Sequence, residues 1–204
     1  MNDEATVLEL MKKYGERILP VYSLPKAYCP GGTANVKGIY LGCDPSNSHS
    51  ESLPFVFAHE SGLKVFSSFL KAHTEQLKQI GLGWEEVYTQ NLCRNYFKNE
   101  TSKNPIWAQV ANEFWIKILK EELSQFDYKI PVLLTSAYLY HVLVTGKKHK
   151  PIEYYQNTQP IPIPSELNKL NRPLIPLYRN RRKIDYHLSN PAWESYRNKI
   201  KTLY

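Results

Sequence analysis

The chain has 204 residues, 42% hydrophobic and 22% charged, a balance ordinary for a soluble globular protein and long enough to bury a full core in one domain. Its 26 Lys and Arg against 19 Asp and Glu leave a net charge of +7 and a pI of about 9.2, a surplus that favours polyanionic partners. No apolar run reaches membrane-spanning length, and three scattered cysteines (Cys29, Cys43 and Cys93) without a C-x-x-C pair exclude a disulfide framework and imply reduced thiols in a cytosolic protein.

In chain order, the acidic start Met1–Ala5 lacks an apolar leader segment, so no secretory signal is expected. Val7, Leu8, Met11 and Tyr14 fall at helical spacing, and a helix over about residues 4–17 closes at Gly15. Residues 20–36 carry Pro20, Pro25, Pro30, Gly31 and Gly32 and read as an irregular lead-in. Residues 37–41 form a first strand. Phe66, Phe69, Leu70, His73, Leu77 and Ile80 mark a helix face ended by Gly81 and Gly83, and 87–92 reads as a second strand.

Asn104 and Pro105 place an N-cap and a first-turn proline before a helix whose face is Trp107, Val110, Phe114 and Ile118. A third apolar run, 130–135, precedes a helix over 136–144. The stretch 147–173, with Pro151, Pro160, Pro162, Pro164 and Pro173, reads as a long, partly extended loop ending in a fourth strand at Leu174. Asn190 and Pro191 repeat the cap, and Trp193, Tyr196 and Ile200 face the last helix. Strands alternating with helices predict a single-domain, three-layer α/β/α sandwich around four parallel strands.

In such folds ligands sit beyond the carboxyl ends of the strands. The segment 38–47 (GIYLGCDPSN) ends an apolar run in Gly42 and delivers a carboxylate, Asp44, beside Pro45. Asn91 ends the second strand, and His187 follows the fourth. Three polar groups thus converge on one rim, which suggests an enzyme. Each also has a plainer reading: Asp44 as a turn acid, Asn91 as a partner for strand-end backbone, His187 as a surface histidine.

These residues carry a resemblance. Gly42–Pro45 is similar to the start of the G-Q-D-P-Y-H motif of the uracil-DNA glycosylase superfamily, with Cys43 and Ser46 departing from it. Residues 53–62 (LPFVFAHESG) are similar to the P-F-V-G-x-x-G segment of several branches, with Phe55 at the stacking aromatic. Residues 87–92 (VYTQNL) resemble the strand whose terminal asparagine reads the base. His187–Ser189 (HLS) matches the H-P-S motif with Leu188 in place of proline. The resemblance runs from about Lys37 to Trp193 and implies a DNA glycosylase acting on uracil or a related damaged base extruded from the strand.

On that basis Asp44 stabilises the sugar cation and orients water, and His187 donates to the departing base. Cys43, Ser46, Phe55 and Asn91 line the base pocket, while Ser189, Arg179, Arg181, Arg182 and Lys183 hold backbone phosphates. Serine at position 46, where the family pattern has tyrosine, implies looser rejection of C5-substituted pyrimidines. The iron–sulfur branch needs four cysteines and this chain has three, so no cluster is expected. His49 and His59 match no standard ligand spacing, so neither a metal nor any other cofactor is expected. The expected partner is single- or double-stranded DNA carrying a damaged base, with no membrane partner, for a monomer in the cytoplasm that joins the nucleoid when bound. Two alternatives stay open: a non-catalytic nucleic-acid binder on the same fold, favoured by Ser46 and Leu188, and a hydrolase of free nucleosides or nucleotides, which would not need the basic run 179–183.

Overall fold

The computed structural model describes residues 3–19, 23–46, 52–177 and 188–204. Helix α1 (Asp3–Tyr14) leads into the short strand β1 (Ile18–Leu19), and β2 (Gly38–Gly42) follows the irregular lead-in. Then come α2 (Ser67–Gln79), β3 (Val87–Asn91), β4 (Tyr96–Phe97), α3 (Trp107–Val110), α4 (Ile116–Leu123), β5 (Val132–Leu134), α5 (Ala137–Leu143), α6 (Pro151–Tyr155), β6 (Leu174–Pro176) and α7 (Glu194–Lys201). The main sheet has the order β3-β2-β5-β6, with every neighbouring pair parallel, and helices cover it as a three-layer α/β/α sandwich. β1 and β4 form a separate antiparallel ribbon, Ile18 opposite Phe97.

β2 is an unbroken apolar run because it is central. Ile39, Tyr40 and Leu41 have no exposed surface, as a parallel strand covered on both faces requires. The one polar atom among those three side chains, the Tyr40 hydroxyl, lies 2.5 Å from His73 Nδ1 and donates to Gln76 Oε1 at 2.8 Å, which ties α2 to the sheet. Both sheet edges are closed by irregular chain. Tyr28 of the lead-in exchanges two backbone hydrogen bonds with Thr89 of β3, at 3.0 and 2.9 Å. Ile163, in the proline-rich stretch, does the same with Leu174 of β6, at 2.8 and 3.1 Å.

Two expectations are corrected. The helix after Asn104 is interrupted by a π-helical turn, Ala111–Trp115, between α3 and α4. A π turn adds a residue to the winding and shifts the phase of everything after it. The buried face is therefore Trp107, Val110, Ala111, Trp115, Ile116, Leu119 and Leu123, and the expected Phe114 and Ile118 are only partly buried at its side. The stretch 147–173 is also not simply an extended loop. Pro151 starts α6, with the Glu153 side chain accepting from the Lys150 N–H at 3.1 Å. Tyr155 there is 1% exposed and packs its ring on Trp193 and Tyr196. No helix among the described residues is long and apolar enough to cross a membrane.

Candidate active site

The strand order dictates where a cleft opens. From β2 the chain moves to β3 on one side, then crosses back to place β5 and β6 on the other. Connections leaving β2 and β5 run in opposite directions, so a crevice forms beyond their carboxyl ends. A cavity of about 430 Å³ lies there, a volume within the range of small-molecule sites. Its wall takes Gly42 to Ser46 from the end of β2, Asn91 from the end of β3, Thr135 and Ser136 from the turn after β5, and Tyr138 from the start of α5. Phe57, Phe66, Phe69 and His73 supply an aromatic side, and residues 99–102 a polar one.

Gly42 is the hinge of the arrangement. A Cβ on it would overlap Asn91 Oδ1 and come within 2.7 Å of the Phe57 ring. Only the absence of a side chain lets an amide and an aromatic ring close on the same backbone atom. Asn91 is 3% exposed. Its backbone N–H donates to Gln90 Oε1 at 2.9 Å, and Gln90 Nε2 donates in turn to Glu122 Oε1 at 3.0 Å. Glu122 also accepts from Tyr88 and from Arg94, which reaches Asp3 at 2.5 Å. A partly buried ionic network thus fixes the end of β3. The Asn91 side-chain amide makes no hydrogen bond among the described residues.

Phe57 is held in place by strained backbone. Phe57, Ala58 and Glu60 have φ of 58°, 59° and 55°, a region that costs a non-glycine residue about 1–3 kcal/mol and clusters at ligand sites. The ring sits edge-on to His73, 5.0 Å between centroids. Phe55, the aromatic expected to stack on a base, is not in the cavity wall; it packs edge-on against Tyr28 at 5.4 Å. The positive φ at Phe57 turns the chain so that Phe57, not Phe55, presents its ring to the site. His59 also packs away from it, stacked on Tyr28 at 3.9 Å; burial lowers its pKa to about 4 and keeps it neutral.

Asp44 is half-buried in the cavity wall. Its Oδ1 accepts a hydrogen bond from the Thr101 hydroxyl, and Oδ2 accepts none among the described residues. Burial pushes the carboxyl up to about 7, against the pull of the Thr101 hydroxyl and the Trp107 indole, and the charge of Glu100 adds to the rise. The Trp107 Nε1–H is buried near Asp44 but completes no hydrogen bond of ordinary geometry. Burial and the charge of Asp44 push the neighbouring Cys43 thiol up to about 12, so it stays protonated.

Of the sequence candidates, Cys43, Asp44, Ser46 and Asn91 share this one cavity. His187, Arg179, Arg181, Arg182 and Lys183 lie outside the described residues. The chain just beyond His187 is firmly anchored: Leu188 is 2% exposed, and Arg197 of α7 donates to the carbonyls of Leu188 and Asn190, the latter at 2.8 Å. Ser189 is exposed beside it. Sequence reading missed Phe57, His73, Thr101 and Glu100 as cavity residues. His73 was visible only as part of a helix face, and Thr101 and Glu100 carry no local signal.

Compared with known proteins, the chain matches no family model and no curated sequence.

Proposed function

We propose that this protein hydrolyses the N-glycosidic bond of uracil or a related damaged base in DNA, taking the base into the cavity beside Gly42. The observation that carries the reading is the convergence of Asp44 and the Asn91 amide, at the ends of two adjacent parallel strands, with the Phe57 ring in one cavity wall. Breaking the bond builds positive charge on the sugar and negative charge on the base. A half-buried carboxylate in the cavity wall opposes the first with more effect than in bulk solvent. Asp44 fills that role when ionised, so the rate rises as pH passes through about 7. The Asn91 amide offers a donor and an acceptor to the edge of a base, Phe57 offers a face for stacking, and His187 is assigned the donor to the departing base. The basic run 179–183 is assigned to phosphates, in keeping with the net charge of +7.

One observation favours a second reading. Glu100 is exposed yet lines the cavity, and a carboxylate at the mouth opposes the phosphates of a DNA strand. Hydrolysis of free nucleosides would not meet that repulsion. Incubation with labelled oligonucleotides carrying uracil, hypoxanthine or xanthine, single- and double-stranded, followed by alkaline cleavage, tests the first reading; free deoxyuridine and inosine in parallel test the second. Release from monomers alone would replace DNA repair by nucleoside hydrolysis. Intact substrates throughout, with retained oligonucleotide binding, would leave a non-catalytic binder.

A further inference from the structure

Thr101 has no counterpart in any motif of the sequence, yet it makes the one hydrogen bond that Asp44 accepts among the described residues. It opens the 3-10 turn Thr101–Lys103, in the connection between β4 and α3. The turn brings residues 99–102 to the cavity wall facing the end of β2. A threonine hydroxyl has one proton to give, and here it goes to Oδ1. Among the described residues the other carboxylate oxygen accepts no hydrogen bond of ordinary geometry.

We propose that Thr101 is the positioning residue for the Asp44 carboxylate, pinning Oδ1 so that Oδ2 is the oxygen offered to a substrate in the cavity; the inference rests on the glycosidase reading of Asp44. A carboxylate on a short side chain rotates about its terminal bond with little resistance. Fixing one oxygen from outside the catalytic loop sets the rotation before substrate arrives, and preorganisation of this kind is what makes an active-site charge effective. The same bond favours the ionised form and so opposes the desolvation that acts on Asp44. The other groups acting on this carboxyl are the Trp107 indole of α3, which also favours the charge, and Glu100, which disfavours it. The Cys43 and Cys93 thiols feel the charge of Asp44 and stay protonated. His73 of α2 lines the same cavity. Among the described residues, Thr101 and Trp107 are the two polar groups acting to keep Asp44 charged, and of the two Thr101 alone completes a hydrogen bond.

The experiment follows the Asp44 carboxyl directly, by carbon-detected NMR titration of aspartate-labelled protein, alongside the pH profile of base release from a uracil oligonucleotide. Thr101→Val removes the hydroxyl and keeps the shape; Thr101→Ser keeps the hydroxyl. Thr101→Val is expected to raise the Asp44 midpoint by about one pH unit, a roughly tenfold change in proton affinity, and to move the acid limb of the rate profile by the same amount. Thr101→Ser leaves both near the wild-type values. Thr101→Ala repeats the loss of the hydroxyl if valine is not accommodated. An Asp44 midpoint unmoved in Thr101→Val and Thr101→Ala, or moved equally by Thr101→Ser, overturns the proposal. A midpoint that moves as expected in a protein releasing no base upholds the role of Thr101 and removes the glycosidase reading instead.

Discussion

Replacing Asp44 by asparagine is expected to stabilise this protein and, on the proposed function, to slow base release. The carboxyl stands at about 7 in the folded chain against 3.8 for the ordinary group, chiefly through burial. The folded state therefore binds this proton more tightly than the unfolded chain does. Stability is highest where the group is protonated in both states, falls as pH rises from about 4 to about 7, and levels off above. At 1.36 kcal/mol for each pKa unit, the full cost of holding the ionised group at about pH 8 is about 4 kcal/mol. Asp44 is only half-buried, so solvent in the cavity screens part of this, and about 2–4 kcal/mol is the expected gain for Asp44→Asn at that pH. Near pH 4 the two proteins should be about equally stable, since both then carry a neutral group. Urea unfolding at several pH values measures the difference as a shift in midpoint at constant slope. Base release should fall by roughly two orders of magnitude or more in the same variant. An Asp44→Asn protein less stable than wild type at about pH 8, or a stability difference that does not change with pH, would refute the reasoning, because either outcome means that the carboxyl is not held at an energetic cost.

Asn91→Asp is expected to lose preference for uracil over cytosine, since each buried mismatch at a base edge costs about 1–3 kcal/mol; competition between the two oligonucleotides measures it, and unchanged preference makes Asn91 structural. Phe57→Ala should weaken release of all bases alike, whereas Phe55→Ala should leave relative rates as they are, because Phe55 packs on Tyr28 away from the cavity. Gly42→Ala should destabilise by about 1–3 kcal/mol through overpacking and reduce base release further than that loss explains, because the new Cβ displaces both Asn91 and Phe57; chemical unfolding and single-turnover rates separate the two effects. Neutralising one phosphate-contacting residue among Arg179, Arg181, Arg182 and Lys183 should lower the log–log salt slope of duplex binding by about one without altering base preference, and an unaltered slope in the quadruple variant takes this run out of the interface.

What the sequence made legible was the part governed by period and punctuation. The apolar run at Ile39 to Leu41 ended by Gly42 gave the central strand and put Asp44 at its mouth, and the parallel neighbour ending at Asn91 followed from the same rule. The Asn190 cap is present as read, accepting from the Ala192 N–H at 2.9 Å; Asn104 instead accepts from the Ile106 N–H at 3.1 Å in a turn ahead of the helix, which starts at Trp107 with Ile106 at its cap. What stayed hidden depends on tertiary packing. A π turn leaves no trace in hydrophobic spacing until its phase shift is seen, so Phe114 and Ile118 looked like core. Nothing in local propensity places Phe57 at positive φ, a conformation that only surrounding structure can impose. Thr101 meets Asp44 across 57 positions of sequence, a separation no local pattern spans. Tyr154 and Tyr155 looked like loop residues because prolines surround them, although both are buried.

The single bridges at Tyr28 and Ile163 bear on how much of this chain can be cut away. An uncovered edge strand offers its row of N–H and C=O groups to any other molecule as a template, and parallel sheets are especially exposed to this while they assemble. Here, among the described residues, each outer strand bridges one residue of its own chain outside the sheet, delivered by a segment rich in proline or glycine. A truncation beginning at Lys37 would keep every strand of the main sheet and every residue named from the cavity wall, yet leave β3 open to its neighbours. Such a fragment is expected to accumulate as oligomers rather than as a smaller monomer.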